Sequence, residues 1–306
     1  MLEYIGFFEI WGTVISQFWP VWLSLAVILS VSYYFRHNLN LYGRLFGSTI
    51  GMVGLVIVLF WILTAIFADW VAVFDPLEQF AMLKRKAPGV IDAETGKALL
   101  FGADNLGRDL FSRMVHGSRF VLVIAPAATL FAFIVGITIG LPAGYYGGKI
   151  DAIMSFLANL VLAFPVILLF YLLVTPGIRE TPIPVAMAGF FFIFPIIFFS
   201  VLFYSRYATR PGLLTIQLIC VLLIGGWLYS GLVFNADPLS IITLEPNELN
   251  IFASAVFVNA PTVFRIVRGI TMDIKTRDYV AAAQTRGENA WYIMLWEILP
   301  NARGPL

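Results

Sequence analysis

Few residues in this sequence combine type and spacing in a chemically suggestive way, and each such group points to a limited kind of chemistry. Gly144-Tyr-Tyr-Gly-Gly148-Lys149 has the outline of a phosphate-cradling loop. Ala143 replaces that motif's first glycine, and Ile150 stands where a Ser or Thr would hold magnesium, so no nucleotide site is read here. The two histidines are His37 and His116. A metal needs convergent ligands, and the distribution of Lys and Arg puts these two on opposite sides of a membrane. Cys220 is the single cysteine, which excludes a disulfide framework and a cysteine zinc cluster. No catalytic residue and no metal-binding set is assigned.

What remains is recognition. Asp273 to Arg286 reads as a helix: Asp278 could cap a new start, and Ala281, Ala282 and Ala283 favour helix. Gly287 supplies a left-handed C-cap position, and a second short helix runs to Ile298 before Pro300 stops it. On that helix Trp291, Met294, Leu295 and Ile298 share one apolar face. A small-residue helix beside an anchored apolar one suits a groove on a partner protein; an amphipathic segment lying on the bilayer fits the same pattern. A second polar block, Phe101 to Arg119, holds Asp104, Arg108, Asp109 and Arg113. Asp104 or Asn105 could cap a short helix through Arg113 that Gly117 ends.

The scaffold for these blocks is legible in the composition. Of 306 residues 60% are hydrophobic and 12% charged, where soluble domains carry about 25% charged residues. That excludes a soluble enzyme and a disordered chain. A net charge of +1 leaves no basic surface for nucleic acid. A membrane helix needs about 20 apolar residues. Seven stretches qualify or nearly so: Thr13–Phe35, Phe46–Ala68, Phe120–Ala143, Ala152–Thr175, Ile183–Tyr204, Leu213–Phe234 and Asn250–Val267. Prolines at 20, 126, 165, 195 and 261 do not veto helices inside a membrane. Glu3 and Glu9 precede the first stretch, unlike the positive start of a signal peptide.

Lys and Arg in the short loops set the orientation. Arg36, Arg44, Lys149, Arg206 and Arg210 follow odd-numbered spans, as do Arg265, Arg268, Lys275, Arg277, Arg286 and Arg303. The loops after the fourth and sixth spans hold Arg179 with Glu180, then Asp237, Glu245 and Glu248. The odd set is therefore cytoplasmic, with the acidic N-terminus and the Asp75–Arg119 loop outside. The first six spans hold no ionisable residue well inside, although Asp69 edges the second. Ion-coupled carriers usually place such residues in the membrane, so energy for any transport must arrive from another subunit. Gln17, Asn159, Gln217 and Asn259 are the largest polar groups in the spans. They serve as interhelical hydrogen-bonding groups, or, for Asn159 and Asn259, as the lining of a polar pathway. Gly136, Gly140 and Gly144 recur every four residues, a spacing that lets helices approach closely.

Three blocks resemble one family. Asp278-Tyr-Val-Ala-Ala-Ala-Gln-Thr-Arg-Gly287, followed after nine residues by Glu297-Ile-Leu-Pro-Asn-Ala302, is similar to the EAA loop of ABC importer permeases. Phe101-Gly-Ala-Asp-Asn-Leu-Gly-Arg-Asp-Leu-Phe-Ser-Arg-Met-Val-His-Gly-Ser-Arg119 resembles a block of the dipeptide, oligopeptide and nickel importer branch. So does Gly144-Tyr-Tyr-Gly-Gly-Lys-Ile-Asp151 with Ala163-Phe-Pro165. Ala281 replaces the family's EAA glutamate, Ala103 a usual Thr, and Phe156 and Asn159 a usual Arg and Asp.

The resemblance implies an all-α polytopic membrane protein with the type I ABC importer permease fold, carrying an additional N-terminal span and an inserted two-span hairpin. Its organisation would be an extra span in residues 1–45, a first core span in 46–75 and an extracytoplasmic loop in 76–118. Core spans in 119–176, the hairpin in 177–247 and a core span with the coupling loop in 248–306 would come next. The family continues through two more spans, so a truncated sequence is expected. The implied place is the bacterial inner membrane. Implied partners are a second homologous permease, two ATPase subunits that carry ATP and Mg, an extracytoplasmic solute-binding protein and membrane lipid. This chain would bind no cofactor and would not itself be an enzyme. Ala282, Ala283, Gln284, Gly287, Trp291, Leu299 and Pro300 would couple to the ATPase. Asp104, Arg108, Asp109 and Arg113 would form an outer gate or binding-protein seat, or only a structural re-entry element. Cargo would be peptides, with nickel, opines or oligosaccharides as alternatives. A membrane scaffold that transports nothing is the reading from another class.

Overall fold

The computed structural model describes residues 3–38, 40–165, 167–168, 171–172, 175–179, 181–234, 236 and 246–302. Its regular structure is overwhelmingly helical, that of an all-α polytopic membrane protein. Helices α1 (Phe7–Gln17) and α2 (Trp19–Tyr34) meet at a 51° bend. Pro20 explains it: the ring removes an N–H and clashes with the carbonyl one turn back, so it sits in the first turn of a new helix. Among the described residues five helices are long and apolar enough to cross a membrane, or six if the bent pair is one span. The five lie in α3 (Thr49–Ile66), α4 (Leu110–Tyr146), then, past the short α5 (Gly148–Leu162), in α6 (Ile183–Tyr207), α7 (Pro211–Phe234) and α8 (Pro246–Ile274).

Two expectations change. The stretch Ala152–Thr175 is not one continuous helix, because α5 ends at Leu162 after 15 residues, just before Ala163-Phe164-Pro165. At 1.5 Å per residue it is about 22 Å long, short of the roughly 30 Å hydrocarbon core. The rest of that stretch lies partly outside the described residues, as do Glu180, Asp237, Glu245 and Arg303. Gly117, in turn, ends nothing: α4 passes through it, and through Pro126 and Pro142, as one helix of 37 residues. The sharp apolar boundary near residue 120 conceals a helix that begins ten residues earlier on a polar surface.

The chain divides into two compact units, residues 1–123 and 124–306. In the first, Val14, Phe18, Val21, Leu63, Val71, Phe111 and Val115 form a buried core. Phe18 stacks on Phe60 at 5.2 Å and meets the edge of Phe111 at 6.0 Å. A two-stranded antiparallel hairpin, β1 (Val90–Ile91) and β2 (Ala98–Leu99), pairs Val90 with Leu99 and Ile91 with Ala98. The N-terminal segment adds to its free edge: Ile91 N donates to Glu3 O and Ile5 N to Gly89 O, both at 2.9 Å. That contact puts residues 3–5 beside the 76–118 segment.

In the second unit, α4 and α8 come as close as backbones allow. A Cβ on Gly136 would lie 2.6 Å from the Val263 Cβ, and one on Gly140 3.0 Å from the Val267 Cβ. One on Gly144 would stand 2.7 Å from the Arg268 carbonyl oxygen. The four-residue glycine spacing is a seam that receives Val263, Val267 and Thr271. Filling it costs on the order of 1–3 kcal/mol in strain. Gly136→Val should therefore lower the thermal midpoint of the detergent-purified chain, whereas Gly54→Ala, at a glycine with nothing within 4 Å, should leave it unchanged. Equal midpoints for the two variants would show that the seam is slack.

Candidate functional site

The element that follows α8 is built from two arms. Helix α8 runs to Ile274, and Arg277 opens α9 (Asp278–Thr285) without a side-chain cap, so Asp278 is the first helical residue rather than the cap. Its charge still favours that end of the helix dipole. Gly287, at φ 76°, closes the arm: its N–H donates to Gln284 O at 2.9 Å, and Glu288 N to Ala283 O at 3.2 Å. Asn289 starts the second arm by accepting from Trp291 N at 2.9 Å. That arm passes from Ala290–Tyr292 into a π-helical stretch, Ile293–Ile298, and then through Leu299–Asn301.

The apolar face of the second arm points into its own chain. Ile293, Met294, Leu295 and Ile298 are buried with Val280, Ala283, Val263, Val267 and Leu141 in one cluster. Ala283 is completely inaccessible. It therefore sits on the inner face of α9 and cannot be a direct partner contact, because helical periodicity turns it about a hundred degrees from its neighbours. Ala281, Ala282, Gln284, Thr285 and Gly287 are exposed, while Trp291, Leu299 and Pro300 are half-buried. Arg286 ties the arms together through Glu297 at 3.1 Å. Lys275 Nζ donates to the Gly144 and Tyr145 carbonyls at 2.8 and 3.1 Å, answering acceptors that the end of α4 leaves open. Gln284 Nε2 donates to the Tyr145 hydroxyl at 3.1 Å.

One strong interaction was not legible as a pair in the sequence. Arg268 on α8 forks onto Asp151 on α5: Nη2 donates to Oδ2 at 2.5 Å, and Nε to Oδ1. Ser155 Oγ donates to the same carboxylate at 3.0 Å. The available signal was charge of opposite sign at the edges of two apolar runs, Asp151 near Lys149 and Arg268 near Arg265. The two pathway candidates are not joined by any hydrogen bond that the structure shows. Asn159 accepts from Arg265 at 3.1 Å, and Asn259 spends its amide on the Ala255 carbonyl of its own helix at 2.8 Å. Both are exposed.

In the 101–119 block, Asp104 gathers two of the other three candidate residues, Arg108 and Arg113. Its Oδ1 accepts from the N–H groups of Leu106 and Arg108 at 2.8 and 2.9 Å. Its Oδ2 accepts from the guanidinium groups of Arg108 and Arg113 at 2.8 and 2.5 Å. Loss of solvent would raise this carboxyl, but the hydrogen bonds from the Arg108 backbone, its guanidinium and Leu106 prevail and pull it down to about 2. Asp104 thus caps a turn, not a helix. The cap of α4 is Asp109, whose Oδ2 accepts from Ser112 N at 2.8 Å. Asp109 is wholly buried, and burial raises its carboxyl against the bonds from Ser112 and Phe111. It is inaccessible to any second protein. Ser112 Oγ in turn accepts from Val73 and Phe74 N–H at 3.1 and 3.0 Å, which pins the start of α4 to the end of the second expected span.

Asp69, at the edge of the second expected span, and His116 are both engaged. Arg119 grips Asp69 with two bonds of 2.9 and 2.8 Å and donates to the Ala65 carbonyl at 2.8 Å. His116 Nε2 lies 3.2 Å from Asp69 Oδ1. The Arg119 bond lowers the Asp69 carboxyl.

Comparison with known proteins gives a consistent picture. A protein-family model described as the N-terminal TM domain of oligopeptide transport permease C matches residues 42–88. The di/tripeptide transport system permease protein DppC of Pseudomonas aeruginosa is 36% identical over 139 residues, 44% of this chain and 46% of that protein. The dipeptide transport system permease protein DppC of Haemophilus influenzae is 26% identical over 255 residues, 83% of this chain and 63% of its own length. The oligopeptide transport system permease protein OppC of Bacillus subtilis is 27% identical over 263 residues, 86% and 62% respectively. The chain thus spans 46% to 63% of the length of these relatives.

The Asp104 cluster makes stability depend on acid in a defined sense. Its folded value of about 2 lies below the ordinary 3.8, so its contribution is complete above the ordinary value and fades as pH falls towards the folded one. The difference in thermal midpoint between wild type and Asp104→Asn should be constant from about pH 7 to about pH 5 and shrink below about pH 4. A difference that stays flat into that acid range would remove the cluster's role.

Proposed function

We propose that this chain, a multi-pass inner-membrane relative of the permeases of dipeptide and oligopeptide ABC transport systems, is the transmembrane permease subunit of an ATP-driven peptide importer. One observation carries the reading. The two-arm element after α8 is anchored to its own spans by a buried apolar face and presents a surface of small and polar residues, Ala281, Ala282, Gln284 and Gly287. A membrane-surface helix would do the reverse, turning Ile293, Met294 and Ile298 towards lipid. An element held in this way can receive a push without peeling off.

The ATP and Mg belong to two ATPase subunits that seat on that exposed surface; this chain supplies no nucleotide site. Their closure displaces the element, and the glycine seam passes the displacement to α4, the Asp151–Arg268 fork to α5. Packed interfaces switch between discrete arrangements rather than deforming continuously, so access to the pathway alternates. A second, homologous permease completes that pathway, and an extracytoplasmic binding protein delivers the peptide to it. Asp104, Arg108 and Arg113 shape the outer surface that receives it, with Asp109 as the internal cap that holds the block in place.

Ala282→Trp tests the reading on the exposed face. Gly287→Trp is a poorer probe, because φ of 76° strains any side chain there. In membranes containing the whole complex, Ala282→Trp should abolish ATPase co-purification and uptake of a labelled dipeptide, with membrane insertion unchanged. Full ATPase retention and uptake in that variant would defeat the coupling role, and a wild-type chain that purifies without any ATPase would favour the scaffold reading.

A further inference from the structure

The α6–α7 hairpin has no part in the coupling mechanism as proposed, yet the end of α6 grips the second arm of the coupling element. Trp296 Nε1 donates to Ser205 Oγ at 3.0 Å, and Ser205 Oγ donates onward to the Leu202 carbonyl at 2.7 Å. The Arg206 guanidinium lies 4.5 Å from the centre of the Trp296 ring. Ser205 is buried, at 7% exposure. Just before it, Phe198, Val201 and Leu202 pack against the cluster containing Leu295 and Ile298.

Simple packing would not select this chemistry. An indole N–H is a donor only, and leaving it unmatched where water is scarce costs more than the bond itself contributes. Its partner comes from a different helix rather than from its own arm. A guanidinium over an indole face adds a second attraction that grows as solvent is excluded. The first arm has separate holds of its own, from Lys275 and Gln284 to the end of α4. The element is thus fastened at three places: covalently to α8, by polar bonds to α4, and by the Trp296 latch to α6.

We infer that Ser205 and Arg206 are positioning residues for coupling: through Trp296 they make the α6–α7 hairpin a moving part, so that the element shifts only together with α6. The latch rests on the proposed ATPase-coupling role of the two-arm element. Without it the second arm would keep its apolar packing and the Arg286–Glu297 pair, but a displacement of the element would no longer be passed to α6.

The test reads conformational switching directly and needs no substrate. In the assembled complex, Cys220 is replaced by Ser and Thr262→Cys, on the exposed side of α8, reports maleimide reactivity in the nucleotide-free and vanadate-trapped states. Ser205→Ala and Trp296→Phe should each shrink the nucleotide-dependent change about fivefold, the span of one hydrogen bond, and the double variant should be no worse than either. Arg206→Gln should shrink it too, while Ser205→Thr, which keeps the hydroxyl, should restore it. An unchanged response in Ser205→Ala and Trp296→Phe, or additive losses, would overturn the latch, provided that Ala282→Trp abolishes the response. If Ala282→Trp leaves it intact, or the background protein shows no change, the coupling role itself fails and takes the latch with it.

Discussion

The contact between α4 and α8 is the constraint on which the second unit depends. Three glycines on one helix face let Val263, Val267 and Thr271 lie against bare backbone, a distance no other residue type permits. In a membrane this is the usual source of helix affinity, since lipid tails are as apolar as Leu and burial alone gives no preference. The seam also sets the register of the residues C-terminal to α8. Because α8 is fixed against α4, Lys275 arrives at the open carbonyls of Gly144 and Tyr145, and Val280 and Ala283 arrive at the cluster around Leu141.

Charge is used sparingly, and at the ends. The described ion pairs within this unit fall at the tip of α5 and the last turns of α8, or within the two-arm element. A bidentate fork such as Asp151–Arg268 fixes orientation as well as distance. In an interface of apolar helices that could otherwise slide or rotate, such direction is what dispersion cannot supply. Asn159 fits the same pattern. Its amide oxygen accepts from Arg265, making a hydrogen bond between the two helices without a full charge on its own side.

The first unit solves a different problem, holding the polar segment 76–118 in shape beside apolar helices. Asp104 organises its turn by collecting backbone and guanidinium donors, and Asp109 with Ser112 ties the start of α4 to Val73 and Phe74. Asp109 keeps one oxygen without a partner in full burial. That is tolerable because its carboxyl is raised towards the neutral form. A carboxylate drawn as a surface contact from its neighbours in the sequence is therefore an internal cap. Position along a motif does not say which way a side chain points.

Short-range physics made part of this protein readable from the order of its residues: the membrane class, the existence of most spans, the turn at Gly287 and the small-residue seam. Apolar run length and the φ freedom of glycine act locally and need no partner. Continuity was misjudged for Ala152–Thr175, and the bend within Thr13–Phe35 was not foreseen, because a proline such as Pro126 is carried within a helix whereas Pro20 and Pro165 stand at breaks. It took the packed helices to turn Ala283 inward, to bring Asp151 and Arg268 together across 117 positions, and to carry Trp296 to Ser205 across 91. Those pairings depend on helix register and rotation, which apolar periodicity leaves undefined when a helix is hydrophobic all round.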